Sequence, residues 1–206
     1  VSLRLAVLIS GRGSNLGAIL DAALDPAYPA RPVLVVSNIP GAGGLALAEA
    51  AGVATRVIPH KGRTRGDFEA ELQAALLAAR IDLIALAGFL RVLTPGFVAS
   101  WDGRMLNIHP SLLPAFPGLD THARALAAGV AEHGCTVHLV TAGVDEGPIL
   151  AQAVVPVRPG EDEASLAARV LAEEHRIFPA AIAAQAHRLG AAGPAGRPLP
   201  GAPPLP

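Results

Sequence analysis

"LRLAVLISGRGSNL", residues 3–16, joins an apolar run to a glycine-rich turn and then to a stretch of helical character. Strand, tight turn and helix in that order form the opening unit of a parallel α/β sheet if the pattern repeats. After the first run at 3–9, short apolar runs recur at 32–38, 55–58, 83–87, 105–109, 136–141 and 150–156. Helical patterns occupy 14–24, 44–51 and 66–80 between the early ones, and 162–189 reads as a long helix that Pro179 kinks or splits. "LAVLI", "VLVV" and "LIALA" are almost continuously apolar, as strands are when a sheet is covered on both faces. The expected fold is α/β: a Rossmann-like, mostly parallel twisted sheet with helices on both faces.

The chain of 206 residues fits one domain, placed here over residues 1–190. The composition changes at 191–206, where "AAGPAGRPLPGAPPLP" carries six prolines and three glycines; a disordered or polyproline-like tail is expected. Hydrophobic residues at 51% and charged residues at 16% favour a compact body over a disordered chain. A net charge of −1 supplies no basic footprint for nucleic acid, and 3% aromatic content supplies few stacking platforms. The expected partners are small molecules, with no nucleic acid and no membrane, and the state is a monomer or homodimer. Cys135 is the only cysteine, so no internal disulfide forms, and a reducing, cytoplasmic setting is expected. The apolar run at 5–9 is too short for a signal segment, and the run at 83–90 falls far below the roughly 20 residues of a membrane span.

In open α/β sheets ligands bind beyond the carboxyl ends of the strands, where the strand order reverses. The loop "SGRGSN" lies at such an end. Gly11 and Gly13 permit a tight turn with close backbone approach, and the following helix presents unpaired N–H groups suited to a phosphate. Ser14 or Asn15 is placed to cap that helix or to donate to a ligand. A turn that binds nothing is the plain alternative. The dinucleotide pattern G-x-G-x-x-G fails because Leu16 holds its last position, and the second strand closes on Ser37 and Asn38 without a ribose-binding acid. A nicotinamide dehydrogenase is therefore disfavoured.

"MLNIHPSLLP", from Met105, places Asn107 and His109 on one side of a strand, since side chains alternate. Pro110 restricts His109 to an extended backbone and marks it as the last residue of the strand. The pair suits carbonyl chemistry: an amide donates to a developing oxyanion, and an imidazole moves protons near neutral pH. A histidine satisfied by local structural partners is the alternative. "TAGVDEGPIL" leaves a later strand with Asp145 and Glu146, either a solvated acidic turn or a carboxylate that orients His109. No metal is expected, because the seven histidines show no tight ligand spacing.

Taken together, "SGRGSNL", "LAGFLRVL", "NIHPSLLPAFPG" and "VDEGPI" closely resemble the phosphoribosylglycinamide formyltransferases, the folate-dependent transferases of purine synthesis. The likeness covers about residues 3–190. It implies formyl transfer from 10-formyltetrahydrofolate as co-substrate to the amine of glycinamide ribonucleotide, with Asn107, His109 and Asp145 as the catalytic trio. It also implies a phosphate loop at Gly13, Ser14 and Asn15, with Glu174 reaching the ribonucleotide. On the folate side it implies Arg65, then Leu90, Arg91, Val92 and Leu93, and a pterin loop of Thr141, Ala142, Gly143 and Val144. Many relatives carry histidine where this chain has Asp120, which bears on the pH optimum more than on the reaction.

Three readings compete. Formyltetrahydrofolate deformylase shares the trio but normally adds an N-terminal regulatory domain and lacks the "GSN" loop. Methionyl-tRNA formyltransferase adds a basic C-terminal domain, whereas only Arg197 is basic in the tail here. The third is an inert folate- or nucleotide-binding module, against which the intact trio argues.

Overall fold

A computed structural model describes residues 2–191. The expected tail at 191–206 thus lies, apart from Ala191, outside the described residues.

Five parallel strands form one side of the sheet: β1 (Leu3–Ile9), β2 (Ala30–Ser37), β3 (Ala54–Val57), β4 (Leu83–Leu86) and β5 (Met105–His109). Two antiparallel strands, β6 (Glu132–Leu139) and β7 (Ile149–Pro156), complete the order β3-β2-β1-β4-β5-β6-β7. The order reverses between β1 and β4, so the loops after these strands diverge there and leave room for a ligand.

Alternation along each strand builds two cores. Leu5, Val7 and Ile9 of β1 pack on one face with Leu16 and Ile19 of α1 (Ser14–Ala22), Leu45 of α2 (Gly43–Ala50), and Ile177, Phe178 and Ile182 of α6 (Glu163–Ala191). Ala6 and Leu8 face the other way, against Phe68, Leu72 and Leu76 of α3 (Arg65–Ala78) and Phe97 and Val98 of α4 (Pro95–Ser100). Continuous apolar strands are the direct result, because beyond Arg4 neither side of β1 meets water.

Several elements depart from the sequence reading. Pro32 does not begin β2; the strand starts at Ala30, and the ladder skips Val33 between Leu5↔Pro32 and Ala6↔Leu34. A proline without an N–H is tolerated in an inner strand at such an irregularity. β6 begins four residues before the expected start at 136, with His133 and Gly134 buried in a stretch whose polar letters hide its extended form. Two short helices, α4 and α5 (Thr121–Ala127), fall in the expected gaps. α4 is announced by Thr94-Pro95: the Thr94 hydroxyl accepts from the Phe97 N–H at 3.3 Å, and proline opens the first turn.

Pro179 does not split α6, which runs unbroken over 29 residues. Its ring lies buried in the core, and the Pro179 carbonyl accepts the Tyr28 hydroxyl at 2.8 Å. Tertiary packing here outweighs the local cost of one missing helical hydrogen bond.

Candidate active site

β1 ends in the glycine loop, and Gly13 caps α1 in the left-handed region at φ 80°. A Cβ at Gly13 would lie 2.6 Å from the Cα of Gly44, so glycine is required both for the turn and for the contact with α2. Neither Ser14 nor Asn15 caps the helix. Asn15 instead turns inward, 8% exposed, and its Nδ2 donates to Glu174 Oε2 at 2.7 Å. Glu174, 7% exposed on α6, has its carboxyl raised above the usual range by burial, against the opposing hydrogen bond from Asn15. Asn15 Oδ1 has no partner among the described residues, and the residue lines the cavity described next.

That cavity, about 710 Å³, opens beyond the carboxyl ends of β4 and β5. Asn15, Glu174, Asn107, His109 and Asp145 all line it. Leu90, Arg91, Val92 and Leu93 after β4 form one wall, and Thr141, Ala142, Gly143 and Val144 after β6 form a second. All of these residues were expected at a site from sequence. Gly13 and Ser14 stand beside the cavity at the start of α1 but do not line it, and Arg65 is exposed at the first turn of α3, also outside the lining.

Asn107 and His109 point into the cavity from β5, as period two requires. His109 Nδ1 lies 3.4 Å from Asp145 Oδ2, and its Nε2 lies 3.0 Å from the Phe116 carbonyl. Acceptors thus face both ring nitrogens, an arrangement suited to an imidazolium that donates to each. Asp145, in the left-handed region at φ 57°, also accepts the Gly118 N–H at 2.9 Å through Oδ2. Burial acts to raise its carboxyl, but the contact with His138 when that ring is protonated, the Gly118 N–H and the charge of His109 outweigh it and hold Asp145 below its ordinary value.

His138 also lines the cavity, and sequence reasoning missed it. It is 2% exposed on β6, directly opposite Asn107 in the antiparallel ladder. Its Nδ1 lies 2.8 Å from the Leu139 carbonyl; with the proton of the neutral ring assigned there, Nε2 accepts from Asn107 Nδ2 at 3.1 Å. Asp145 Oδ1 lies 3.6 Å from the same Nε2. One amide hydrogen of Asn107 is therefore held by His138, and the second is free for an acceptor in the cavity. Histidine in "TVHLV" was the only available signal, and its facing depends on a pairing that the local sequence does not show.

The turn after His109 is fastened from β6. Thr136 Oγ1 accepts the Leu113 N–H at 3.0 Å and Gln152 Nε2 at 3.0 Å while donating to the Ser111 carbonyl at 2.7 Å. Gly147 lets the following loop close onto the same strand, since a Cβ there would fall 1.7 Å from the Leu139 carbonyl oxygen. Asp120, the departure noted in the sequence, lines the cavity at φ 54° and makes no capping bond to α5. Among the described residues there is no group of three or more metal-ligating side chains, and no helix is long and apolar enough to cross a membrane.

Residues 3–182 match the family described as formyl transferase. The trifunctional purine biosynthetic protein adenosine-3 of Drosophila melanogaster is 54% identical over 183 residues, which are 87% of this chain and 14% of that protein. The chain thus spans a small part of such trifunctional relatives. The phosphoribosylglycinamide formyltransferase of Escherichia coli (strain K12) is 45% identical over 181 residues, covering 87% of this chain and 85% of that one. The crystal structure of the Brucella melitensis phosphoribosylglycinamide formyltransferase superposes with a TM-score of 0.87 at 52% identity, covering 90% of this chain and 96% of the other.

Proposed function

The chain belongs to the formyl transferase family, and from that premise we propose that it is a phosphoribosylglycinamide formyltransferase. It transfers the formyl group of 10-formyltetrahydrofolate to the amine of N1-(5-phospho-ribosyl)glycinamide, giving the N-formyl product and tetrahydrofolate in de novo purine biosynthesis. The observation that carries this reading is the meeting of Asn107, His109 and Asp145 in a cavity that Asn15 and Glu174 also line. A proton-moving centre and a polar cradle in one space suit the joining of two substrates.

The amine nitrogen attacks the formyl carbon, and the carbonyl electron pair moves onto oxygen. The resulting oxyanion accepts the free Nδ2–H of Asn107 and a hydrogen from His109 Nε2, which exchanges the Phe116 carbonyl for the new acceptor without changing ring charge. Asp145 faces the other side of the ring and stabilises its positive form. Collapse reforms the carbonyl and breaks the bond to the folate nitrogen, which receives the proton given up by the amine.

In the ribonucleotide part, the glycine loop with Gly13, Ser14 and Asn15 takes the phosphate, and Glu174 accepts ribose hydroxyls. Residues 90–93 and 141–144 hold the folate between two walls, with Arg65 assigned to its outer end. The direct test follows tetrahydrofolate release from 10-formyltetrahydrofolate with and without the ribonucleotide. Release that depends on the ribonucleotide is expected; an equal rate without it would make water the acceptor and the protein a deformylase.

A further inference from the structure

The cavity wall at 88–94 belongs to no strand or helix, yet it must present Leu90, Arg91, Val92 and Leu93 in one arrangement. Its N-terminal end is pinned by Ser10. The Ser10 N–H donates to the Gly88 carbonyl at 3.0 Å, and Ser10 Oγ accepts the Leu90 N–H at 2.8 Å while donating to Asn38 Oδ1 at 2.6 Å. Its C-terminal end is held by a residue that does not line the cavity. Glu69 on α3 is 7% exposed, accepts the Thr94 N–H at 2.6 Å through Oε1, and accepts the Thr94 hydroxyl through Oε2.

A buried carboxylate facing an uncharged hydroxyl is an expensive way to stabilise a fold, and Glu69 has no cationic partner among the described residues. What the pair provides is geometry. Thr94 also accepts the Phe97 N–H, so the same residue ends the wall and starts α4. Beside Glu69, the Phe68 ring carries the Arg91 guanidinium at 4.7 Å and stacks on Phe89 with centroids 6.4 Å apart. α3 therefore grips the wall at three points from behind.

We propose that Glu69 is a positioning residue for the folate-side wall, acting through Thr94 to keep residues 90–93 in binding register. The proposal rests on the reading that this cavity takes 10-formyltetrahydrofolate. It is tested with Glu69→Gln and Thr94→Val, with Thr94→Ser as the conservative variant. Loss of a charge-assisted hydrogen bond predicts a rise of about tenfold in KM for 10-formyltetrahydrofolate in the first two. KM for the ribonucleotide and the pH profile of kcat stay within about twofold. Thr94→Ser stays near the parent, and the double variant raises this KM by less than the product of the two single effects, because the two residues share the hydroxyl–carboxylate contact.

Calorimetric titration with tetrahydrofolate gives the same comparison without turnover and follows the KM pattern. An unchanged KM and Kd for folate in folded variants overturns the proposal. So does a parallel rise in both KM values, and so does failure of both variants to fold, which would make the pair plain scaffold. If the parent binds tetrahydrofolate but forms no formylated ribonucleotide, the functional reading fails while the titration still decides the role of Glu69; if it binds no tetrahydrofolate, both fall.

Discussion

His133 makes the stability of this protein depend on pH in a range that can be calculated. It is 1% exposed on β6, with its ring edge-on to Phe116 and His122 and its Nε2 3.1 Å from His122 Nδ1. Burial, reinforced by positive charge on His122 and His109 and opposed by the Pro110 carbonyl, lowers its pKa from 6.5 to about 4. A histidine depressed in the native state is protonated first in the unfolded one, so its stabilising contribution is complete above pH 6.5 and is lost as the pH falls toward 4. At about 1.4 kcal/mol per unit, the full loss is about 3 kcal/mol, and about 2 kcal/mol of it falls between pH 7 and pH 5. Urea unfolding of the parent and of His133→Gln at those two pH values measures it. The parent should lose about 2 kcal/mol more than the variant. Some slope will remain in the variant, because burial also lowers His122, against the opposing charge of Glu163. Parallel profiles for the two proteins would refute the reasoning and place the imidazole in contact with water or a compensating acid.

Three further outcomes test the site. Asp145→Asn keeps an acceptor for the Gly118 N–H but removes the charge 3.4 Å from His109, so kcat should fall by about a hundredfold or more in a folded protein; a loss under about fivefold would remove Asp145 from the chemistry. Because the Asp145 carboxyl is depressed in the native state, its contribution to stability is present above the usual carboxylate range and is lost on acidification below it, a component absent from the Asn variant's acid unfolding curve. His138→Phe strips Asn107 of its acceptor without touching the donor, so kcat should drop about tenfold, less than for Asn107→Ala; the reverse order in steady-state rates would mean that His138 acts directly. Glu174→Gln should unfold at a higher urea concentration at pH 7, since a carboxyl raised by burial loses native stability as the pH climbs through its pKa. The same change should raise KM for the ribonucleotide by about tenfold, and equal affinity would exclude Glu174 from that substrate.

Much of the architecture is local information. Apolar runs covered on both faces mark β1, β2, β4 and β5 wherever they are placed, and Pro110 ends β5 at His109 through its own ring. Strand periodicity puts Asn107 and His109 on one side before any partner is known. The long helix was visible too, but its passage through Pro179 was not, because the gain from burying that segment against the sheet is set by distant residues. The early start of β6 was hidden for a similar reason: His133 and Gly134 are polar or permissive letters whose extended form comes from pairing with Val155 and Val154.

The sequence by itself therefore determined the α/β class, the glycine turn after β1 and the residue types at the strand ends, all consequences of periodicity and of backbone sterics within a few positions. Only the tertiary structure decided that Asn107 faces His138, that Asn15 turns from capping α1 to meet Glu174, and that Glu69 holds Thr94 from behind the wall. These contacts join residues 31, 159 and 25 positions apart. Their partners are chosen by sheet register and helix packing, which are properties of the assembled chain and of no short stretch within it.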